Sequence, residues 1–211
     1  TQGVKGIDIN DDDYLVDMTV IKDGYEFITM TENGYGKRTS IDDYRLQNRG
    51  GKGIKAGTFN DKTGNLVSMK LVSDADDIMI ITVGGTIIRV SCDEISKIGR
   101  DTQGVRCMLI SEEDRLVEMT VVKEGYDVLT ISSLGFGKRS DIEDYRLQSR
   151  GGKGIKAGVF NDKTGTLVSL KLVKEDNDIM LIADNGIVIR TPACDISKIG
   201  RDTKGVKVMR I

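Results

Sequence analysis

Tyr44-Arg45-Leu46-Gln47-Asn48-Arg49-Gly50-Gly51-Lys52-Gly53-Ile54-Lys55-Ala56-Gly57 returns later in the chain as Tyr145-Arg146-Leu147-Gln148-Ser149-Arg150-Gly151-Gly152-Lys153-Gly154-Ile155-Lys156-Ala157-Gly158. Three glycines among four residues leave the backbone free of Cβ atoms and able to take positive φ. Successive N–H groups in such a loop can converge into a concave nest that attracts anions. Arg45, Arg49, Lys52 and Lys55 surround the first copy, Arg146, Arg150, Lys153 and Lys156 the second, and Gln47 and Gln148 add neutral hydrogen-bonding groups. Donors close in, cations around them and no bulk in the way are what a phosphate requires. A single copy reads equally well as a solvated turn, because glycine punctuates loops. Retention of the charge pattern in two copies argues for a use.

Outward from these stretches the whole chain is repetitive. Thr1–Asp101 aligns with Thr102–Asp202 without a gap, at a constant offset of 101. Each half divides again. A Gly-[Val/Ile]-[Lys/Arg] triplet begins at Gly3, Gly53, Gly104, Gly154 and Gly205, and a glycine precedes an arginine by four at Gly34/Arg38, Gly85/Arg89, Gly135/Arg139 and Gly186/Arg190. A third marker is the arginine at 49, 100, 150 and 201. The unit is about fifty residues, four times over in ABAB order: A units carry Gly-[Tyr/Phe]-Gly-Lys-Arg and the glycine-rich stretch, and B units carry Ile95–Thr102 or Ile196–Thr203. Short alternating segments such as Leu66–Val72, and runs such as Ile78-Met79-Ile80-Ile81, read as half-buried and fully buried strands. Asn60-Asp61-Lys62-Thr63-Gly64 has hairpin chemistry.

An all-β unit of this length in tandem predicts propeller-like blades in one domain, 1–211. Blades are expected at approximately 1–50, 51–101, 102–151 and 152–202, with 203–211 as a closing strand. Should the four fail to close, the termini 1–9 and 203–211 are the expected exposed sheet edges, inviting self-association. Arg49, Arg100, Arg150 and Arg201 fall in connections and are read as a charged rim. Arg38, Arg89, Arg139 and Arg190 fall at a strand, where packing and rim are equally compatible.

Composition excludes several classes. Histidine is absent, which removes Ser-His and Cys-His nucleophilic chemistry. Cys92, Cys107 and Cys194 are odd in number and lack CxxC spacing, so no zinc site or disulfide framework is expected and a reducing, cytoplasmic setting fits. Cys92 and Cys194 are one position out of register between the halves and are expected to be free thiols on opposite faces. No apolar run is long enough for a membrane span. Net charge is only −2, with acidic clusters at Asp11–Asp13, Asp74–Asp77 and Glu112–Asp114 and the basic residues in the glycine-rich stretches. Distribution, more than the sum, then decides what the surface attracts.

Two motifs mislead. Asp162-Lys163-Thr164-Gly165-Thr166 has the form of the P-type ATPase phosphorylation motif, but its other copy, Asp61-Lys62-Thr63-Gly64-Asn65, breaks the pattern where a turn tolerates change. A hairpin is the better reading. Gly-Gly-Lys-Gly is not a Walker loop, since the upstream glycine spacing and the Lys-Ser/Thr pair are missing. No carboxylate pair points to hydrolysis, and no catalytic, metal or cofactor residue is expected.

The stretches Gln47–Gly53 and Gln148–Gly154, with Glu32–Arg38 and Ile95–Gly104 around them, resemble the QRRGGKG box and its setting in the C-terminal domain of DNA gyrase A. The likeness covers the whole chain. It implies a β-pinwheel, whose blades exchange strands, and a basic rim that binds and wraps double-stranded DNA for negative supercoiling. Gln47, Arg49, Gly50, Gly51, Lys52 and Gly53 match the box, as do Gln148, Arg150, Gly151, Gly152, Lys153 and Gly154; Asn48 and Ser149 each replace an arginine. Lys37, Arg38, Arg45, Lys55, Lys97, Arg100, Lys138, Arg139, Arg146, Lys156, Lys198 and Arg201 are the further cations expected to face DNA. The strand-breaking tyrosine of the family follows an arginine, whereas every tyrosine here follows Asp or Gly. The resemblance therefore implies a non-catalytic accessory domain at the nucleoid, with the remainder of gyrase A and the gyrase B protein as partners. Alternatives are a topoisomerase IV-type domain, whose box is degenerate, and a propeller-like scaffold resembling chromatin-condensation-regulator repeats. Near-identical halves fit recent duplication, a fragment of a longer ring, or engineering toward symmetry with weakened DNA binding.

Overall fold

The computed structural model describes residues 3–211, and Thr1 and Gln2 lie outside it. The described residues form fourteen strands: β1 (Glu26–Thr31), β2 (Tyr35–Ser40), β3 (Leu66–Val72), β4 (Asp77–Thr82), β5 (Thr86–Ser91), β6 (Val105–Arg106), β7 (Leu116–Val121), β8 (Asp127–Ser132), β9 (Phe136–Asp141), β10 (Ile155–Lys156), β11 (Leu167–Val173), β12 (Asp178–Ile182), β13 (Val188–Pro192) and β14 (Val206–Lys207). A one-turn 3-10 helix follows β2, β5, β9 and β13.

Four tight hairpins are the frame: β1–β2, β4–β5, β8–β9 and β12–β13. The glycine of the Gly/Arg marker takes positive φ in every hairpin turn, from +73° to +85°. The arginine four residues on reaches back to the acid that starts the hairpin. Arg38 pairs with Glu26, Arg89 with Asp77, Arg139 with Asp127 and Arg190 with Asp178. That settles the open reading of these four arginines: each braces its own hairpin.

No sheet coincides with one sequence unit. The sheet orders are β3-β1-β2-β6, β10-β5-β4-β7 and β11-β8-β9-β14, with β12-β13 alone as a two-stranded piece. Each of the first three hairpins receives a long strand from the next unit and a two-residue strand from the one after. A further segment lies parallel beside the second strand of the same three hairpins: Lys97 beside Arg38, Leu147 beside Arg89 and Lys198 beside Arg139. The expected closing strand is thus corrected: within 203–211, β14 pairs with β9 and finishes the third sheet. Residues 3–9 form no strand, and the open edges lie at β12–β13 and near residues 15–21.

Hydrophobic cores fill the spaces between successive sheets. Along β4, Ile78 and Ile80 enter the first core with Ile28, Ile88 and Met119, while Met79 and Ile81 enter the second with Val128, Tyr145 and Leu170. This is the strand buried on both faces that the apolar run predicts. A third, smaller core packs Leu129 and Ile131 against Ile179, Ala193 and Ile196. Cys92 and Cys107 are free thiols within the first core, pushed up to about 12 by burial, and Cys194 is an exposed free thiol. The register slip does place Cys92 and Cys194 oppositely, although both sit in 3-10 turns and not in strands. Asp162 lies in a turn whose Lys163 N–H donates to Asn161 Oδ1 at 2.9 Å and whose Gly165 N–H donates to Asn161 O at 2.7 Å, as the hairpin reading requires.

Short outer strands depend on close backbone approach. Gly104 holds φ +82° just before β6, and a Cβ there would stand 2.5 Å from the Gly36 carbonyl oxygen. Gly104→Ala combines a strained φ with a clash and should cost about 1–3 kcal/mol, lowering Tm by roughly 2–4 °C per kcal/mol. Gly99→Ala, where a Cβ meets nothing within 4 Å, should leave Tm unchanged. Thermal unfolding of the two variants beside wild type checks the pair.

Candidate nucleic-acid interface

The second glycine-rich stretch grows out of the second core. Asp141 caps the 3-10 turn Ile142–Asp144 by accepting the Glu143 N–H at 3.1 Å. Tyr145 then plugs the core, fully buried, its phenol pushed up to about 12 by that burial. From this anchor the chain runs out along β5. Gln148 N–H donates to Arg89 O at 2.9 Å, Arg150 N–H to Glu94 Oε2 at 2.8 Å, and Gly151 N–H to Cys107 O at 2.7 Å. Ile155 pairs with Ile87, and Ala157 N–H donates to Gly85 O at 2.8 Å.

Those bonds correct the expected anion nest. The N–H groups of Arg150, Gly151 and Gly152 are occupied by Glu94, Cys107 and Ser149. In the first copy Gly50 N–H donates to Gly6 O and Gly51 N–H to Asn48 O. The glycines serve close passage instead: a Cβ on Gly154, at φ +71°, would stand 2.7 Å from Ile87 O. Backbone donors fix the loop, and its cationic side chains face outward. Leu46 and Leu147 are exposed at its tip, apolar among cations, a feature that reading by charge missed.

Side-chain chemistry separates the expected cations into three groups. Arg45, Arg49, Lys52, Lys55, Arg146, Arg150, Lys153 and Lys156 are exposed and form no ion pair among the described residues. Lys97 and Lys198 are exposed but engaged, Lys97 with Glu26 and Lys198 with Asp127 at 2.7 Å and Asp141 at 3.1 Å; these carboxylates hold both ammoniums above their usual range. Arg100 and Arg201, half-buried, donate to the carbonyls of Lys55 at 2.8 Å and Lys156 at 2.7 Å, tying down the far end of each glycine-rich stretch. Gln47 is exposed and Gln148 half-buried.

Lys37, Arg38, Lys138 and Arg139 are corrections, since all four are buried and none can face a ligand. On a strand, neighbours point to opposite faces, so the Lys-Arg pair cannot line one rim. Arg38 and Arg139 brace their hairpins and donate to Ile95 O and Ile196 O. Lys37 donates to the carbonyls of Gly99, Arg100 and Thr102, and Lys138 to those of Gly200 and Arg201 and to Thr203 Oγ1. Each buried ammonium thus holds the loop that presents Arg100 or Arg201, which in turn holds the end of a glycine-rich stretch. Burial lowers both lysines, Lys138 to about 8, which leaves it largely charged at neutral pH.

Lys138→Met keeps the stem but strands the Arg201 carbonyl and leaves that of Gly200 with Thr203 Oγ1 alone. Stability should fall by about 1–3 kcal/mol, and amide exchange should accelerate across Ile199–Thr203. Denaturant unfolding and exchange followed by mass spectrometry measure both. Unchanged exchange at this loop would refute the clamp.

Comparison with known proteins bears on the family and the fold. The family model described as DNA gyrase C-terminal domain, beta-propeller, matches residues 1–22, 25–73, 76–123, 126–174 and 177–211. The DNA gyrase A protein of Mycobacterium tuberculosis (strain ATCC 25618 / H37Rv) is 37% identical over 186 residues, covering 87% of this chain and 22% of that protein. The DNA gyrase A protein of Staphylococcus aureus (strain MRSA252) is 30% identical over 214 residues, covering 99% of this chain and 24% of that protein. The chain therefore spans less than a quarter of these relatives' length. A solved DNA gyrase A C-terminal domain superposes with a TM-score of 0.82 at 26% identity, over 90% of this chain and 63% of that one. The C-terminal domain of a DNA topoisomerase IV superposes with a TM-score of 0.85 at 18% identity, over 97% and 64%, a likeness of fold.

Proposed function

The chain belongs to the DNA gyrase C-terminal domain family, and from that membership we propose that it binds double-stranded DNA along its two glycine-rich stretches and bends it, as a non-catalytic part of a type II topoisomerase. The observation that carries this reading is the sorting of charge. The four hairpin arginines are neutralised by fixed carboxylates, whereas the eight cations of the two stretches are exposed and form no ion pair among the described residues. Each stretch thus offers a polyanion four unpaired cations within eleven residues. Two retained Gly-Gly-Lys-Gly cores favour a gyrase-type domain over a topoisomerase IV-type one.

Energetically, wrapping is a competition. Bending a 20–30 bp segment by 40–90° costs on the order of 1–6 kcal/mol. Release of counterions by Lys and Arg at phosphates offsets it. Among the described residues the helices are all one-turn 3-10 helices, none long enough to lie along a major groove, so phosphate contact and deformability set the preference. Asn48 and Ser149 each lack the charge of the arginine in the QRRGGKG pattern, which weakens the track by one cation per copy. In the parent enzyme the remainder of gyrase A and the gyrase B protein supply strand passage and ATP chemistry, in the cytoplasm at the nucleoid.

Replacing Arg49, Lys52, Arg150 and Lys153 by Ala should reduce the slope of log K against log salt by at most about 0.9 for each phosphate no longer neutralised. Bending, read by end-to-end energy transfer on a short duplex at matched occupancy, should fall disproportionately. The same change at Lys97 and Lys198, which are paired with acids, should weaken binding with less loss of bend, Arg100 and Arg201 being left in place because they hold the far ends of the two stretches. Equal loss of bending from both variants would make the two stretches ordinary basic turns. Plasmid relaxation and ligation with the bound chain tests wrapping directly, and no change in linking number would overturn it.

A further inference from the structure

We propose that Leu147 is the residue by which the second glycine-rich stretch selects DNA over RNA: it sits among phosphate-binding cations, meets the sugar of a bound duplex, and accepts a deoxyribose where it rejects a 2′-hydroxyl. The inference rests on the DNA reading above. It adds a criterion that charge does not supply, since phosphates are common to both nucleic acids.

The position is built, and the fold leaves its occupant open. Two residues before it, Tyr145 is buried in the second core. One residue after it, Gln148 N–H donates to Arg89 O at 2.9 Å. Leu147 itself lies parallel beside Arg89 on β5. Its backbone is thus fixed on both sides, and the residue, 53% exposed, is held out from a stationary base. Beside two other hairpins the same place is taken by lysine, Lys97 next to Arg38 and Lys198 next to Arg139. Each of those lysines pairs with the acid that opens its hairpin, Glu26 or Asp127. The fold therefore accommodates lysine here, and leucine gives up an ion pair. Among the described residues Asp77, the acid that opens β4, pairs with Arg89 alone, at 2.8 Å.

The exchange falls where a charge is least expected to be missing. Arg146, Arg150, Lys153 and Lys156 are its neighbours in the stretch, all exposed and without an ion pair among the described residues. A surface shaped for phosphate alone would place its next cation at this position. Both A units place leucine there instead, Leu46 in the first stretch and Leu147 in the second. Packing does not account for it, since Leu147 belongs to none of the three hydrophobic cores.

The backbone of a duplex alternates anion and sugar. When cations on either side of the leucine engage phosphates, the group that faces the aliphatic side chain is the sugar between them. Deoxyribose presents a CH2 at its 2′ carbon, and covering it removes apolar surface from water on both partners. Ribose presents a hydroxyl there, donor and acceptor at once, which is the group that lets a protein tell RNA from DNA. Pressed on leucine, that hydroxyl loses water and gains no partner. A lysine in this place, as in the B units, would satisfy it and would not discriminate.

Competition fluorescence anisotropy with three duplexes of one sequence tests the assignment. The first is all-deoxy, the second carries scattered ribonucleotides in both strands, and the third carries 2′-fluoro sugars at the same places, which keep the ribose pucker without the hydroxyl. Wild type should bind the ribonucleotide duplex roughly tenfold more weakly than the all-deoxy one, and the fluoro duplex nearly as well as the all-deoxy one. Leu147→Asn, made together with Leu46→Asn so that the copy does not mask it, gives the hydroxyl a partner. Discrimination should then approach unity, while the salt slope stays that of wild type because no cation is lost. Leu147→Met with Leu46→Met keeps the apolar contact and should keep the discrimination. Both positions are exposed, so thermal unfolding should be unchanged in either variant. Discrimination of wild-type size in the Asn variant would overturn the proposal, as would equal binding of all three duplexes by wild type. Rejection of the fluoro duplex as strongly as the ribonucleotide duplex would assign the effect to pucker and overturn it too. A wild-type chain that binds none of the duplexes would overturn the DNA reading itself, an outcome distinct from binding without discrimination.

Discussion

Every hairpin in this protein is a half-sheet until later sequence arrives. A two-stranded hairpin is marginal in water, and for the first three the missing backbone partners come from the next unit and the one after. The unit of sequence and the unit of stability are therefore different objects. The apolar faces follow the same rule: β4 divides its side chains between two cores, each closed by strands from other units. This binds neighbouring blades together without a linker between them, and every internal blade boundary is a hydrophobic core. It also leaves any end of the array with unmatched strands on one side and unmatched apolar faces on the other.

Charge is arranged on the same frame. An arginine in each hairpin is bound to the acid that opens the hairpin, and buried lysines are bound to loop carbonyls. Desolvating a cation is costly unless it is paired or fully hydrogen-bonded, and these are. The glycine-rich stretches obey the opposite logic. Their backbone groups are consumed in fixing position, and their cations are left unpaired over solvent. A net charge of −2 conceals this division, since an averaged sum counts a braced arginine and a free one alike.

Repeat length, all-β class and tight turns were legible because each has a local signature: the Gly/Arg marker, the alternating runs, the hairpin Asn-Asp-Lys-Thr-Gly. The buried-both-sides reading of Ile78–Ile81 rests on the same kind of local signal. Strand exchange left no such trace. Leu66–Val72 reads as a strand, but which hairpin it joins is a non-local fact that periodicity does not carry. The misassigned cations failed for a related reason. Lys37-Arg38 and Lys138-Arg139 are basic and repeated, and composition alone places them with Arg49 and Lys52. Their position inside a strand held the corrective signal, because adjacent strand residues cannot share a face. The nest failed through satisfaction: a glycine-rich loop offers donors only if no carbonyl claims them first, and Cys107, Glu94 and Gly6 are invisible neighbours in the linear text.

The two stretches share nearly the same letters yet stand on different foundations. The second leans on β5, with Gln148 donating to Arg89 O and Arg150 N–H held by Glu94. The first has Gly6 and Asp8 as its backbone partners, through Gly50 N–H and Gly51 O, and no hairpin beside it among the described residues. Ordering a loop costs entropy that a bound phosphate must offset, so equal side chains do not give equal affinity.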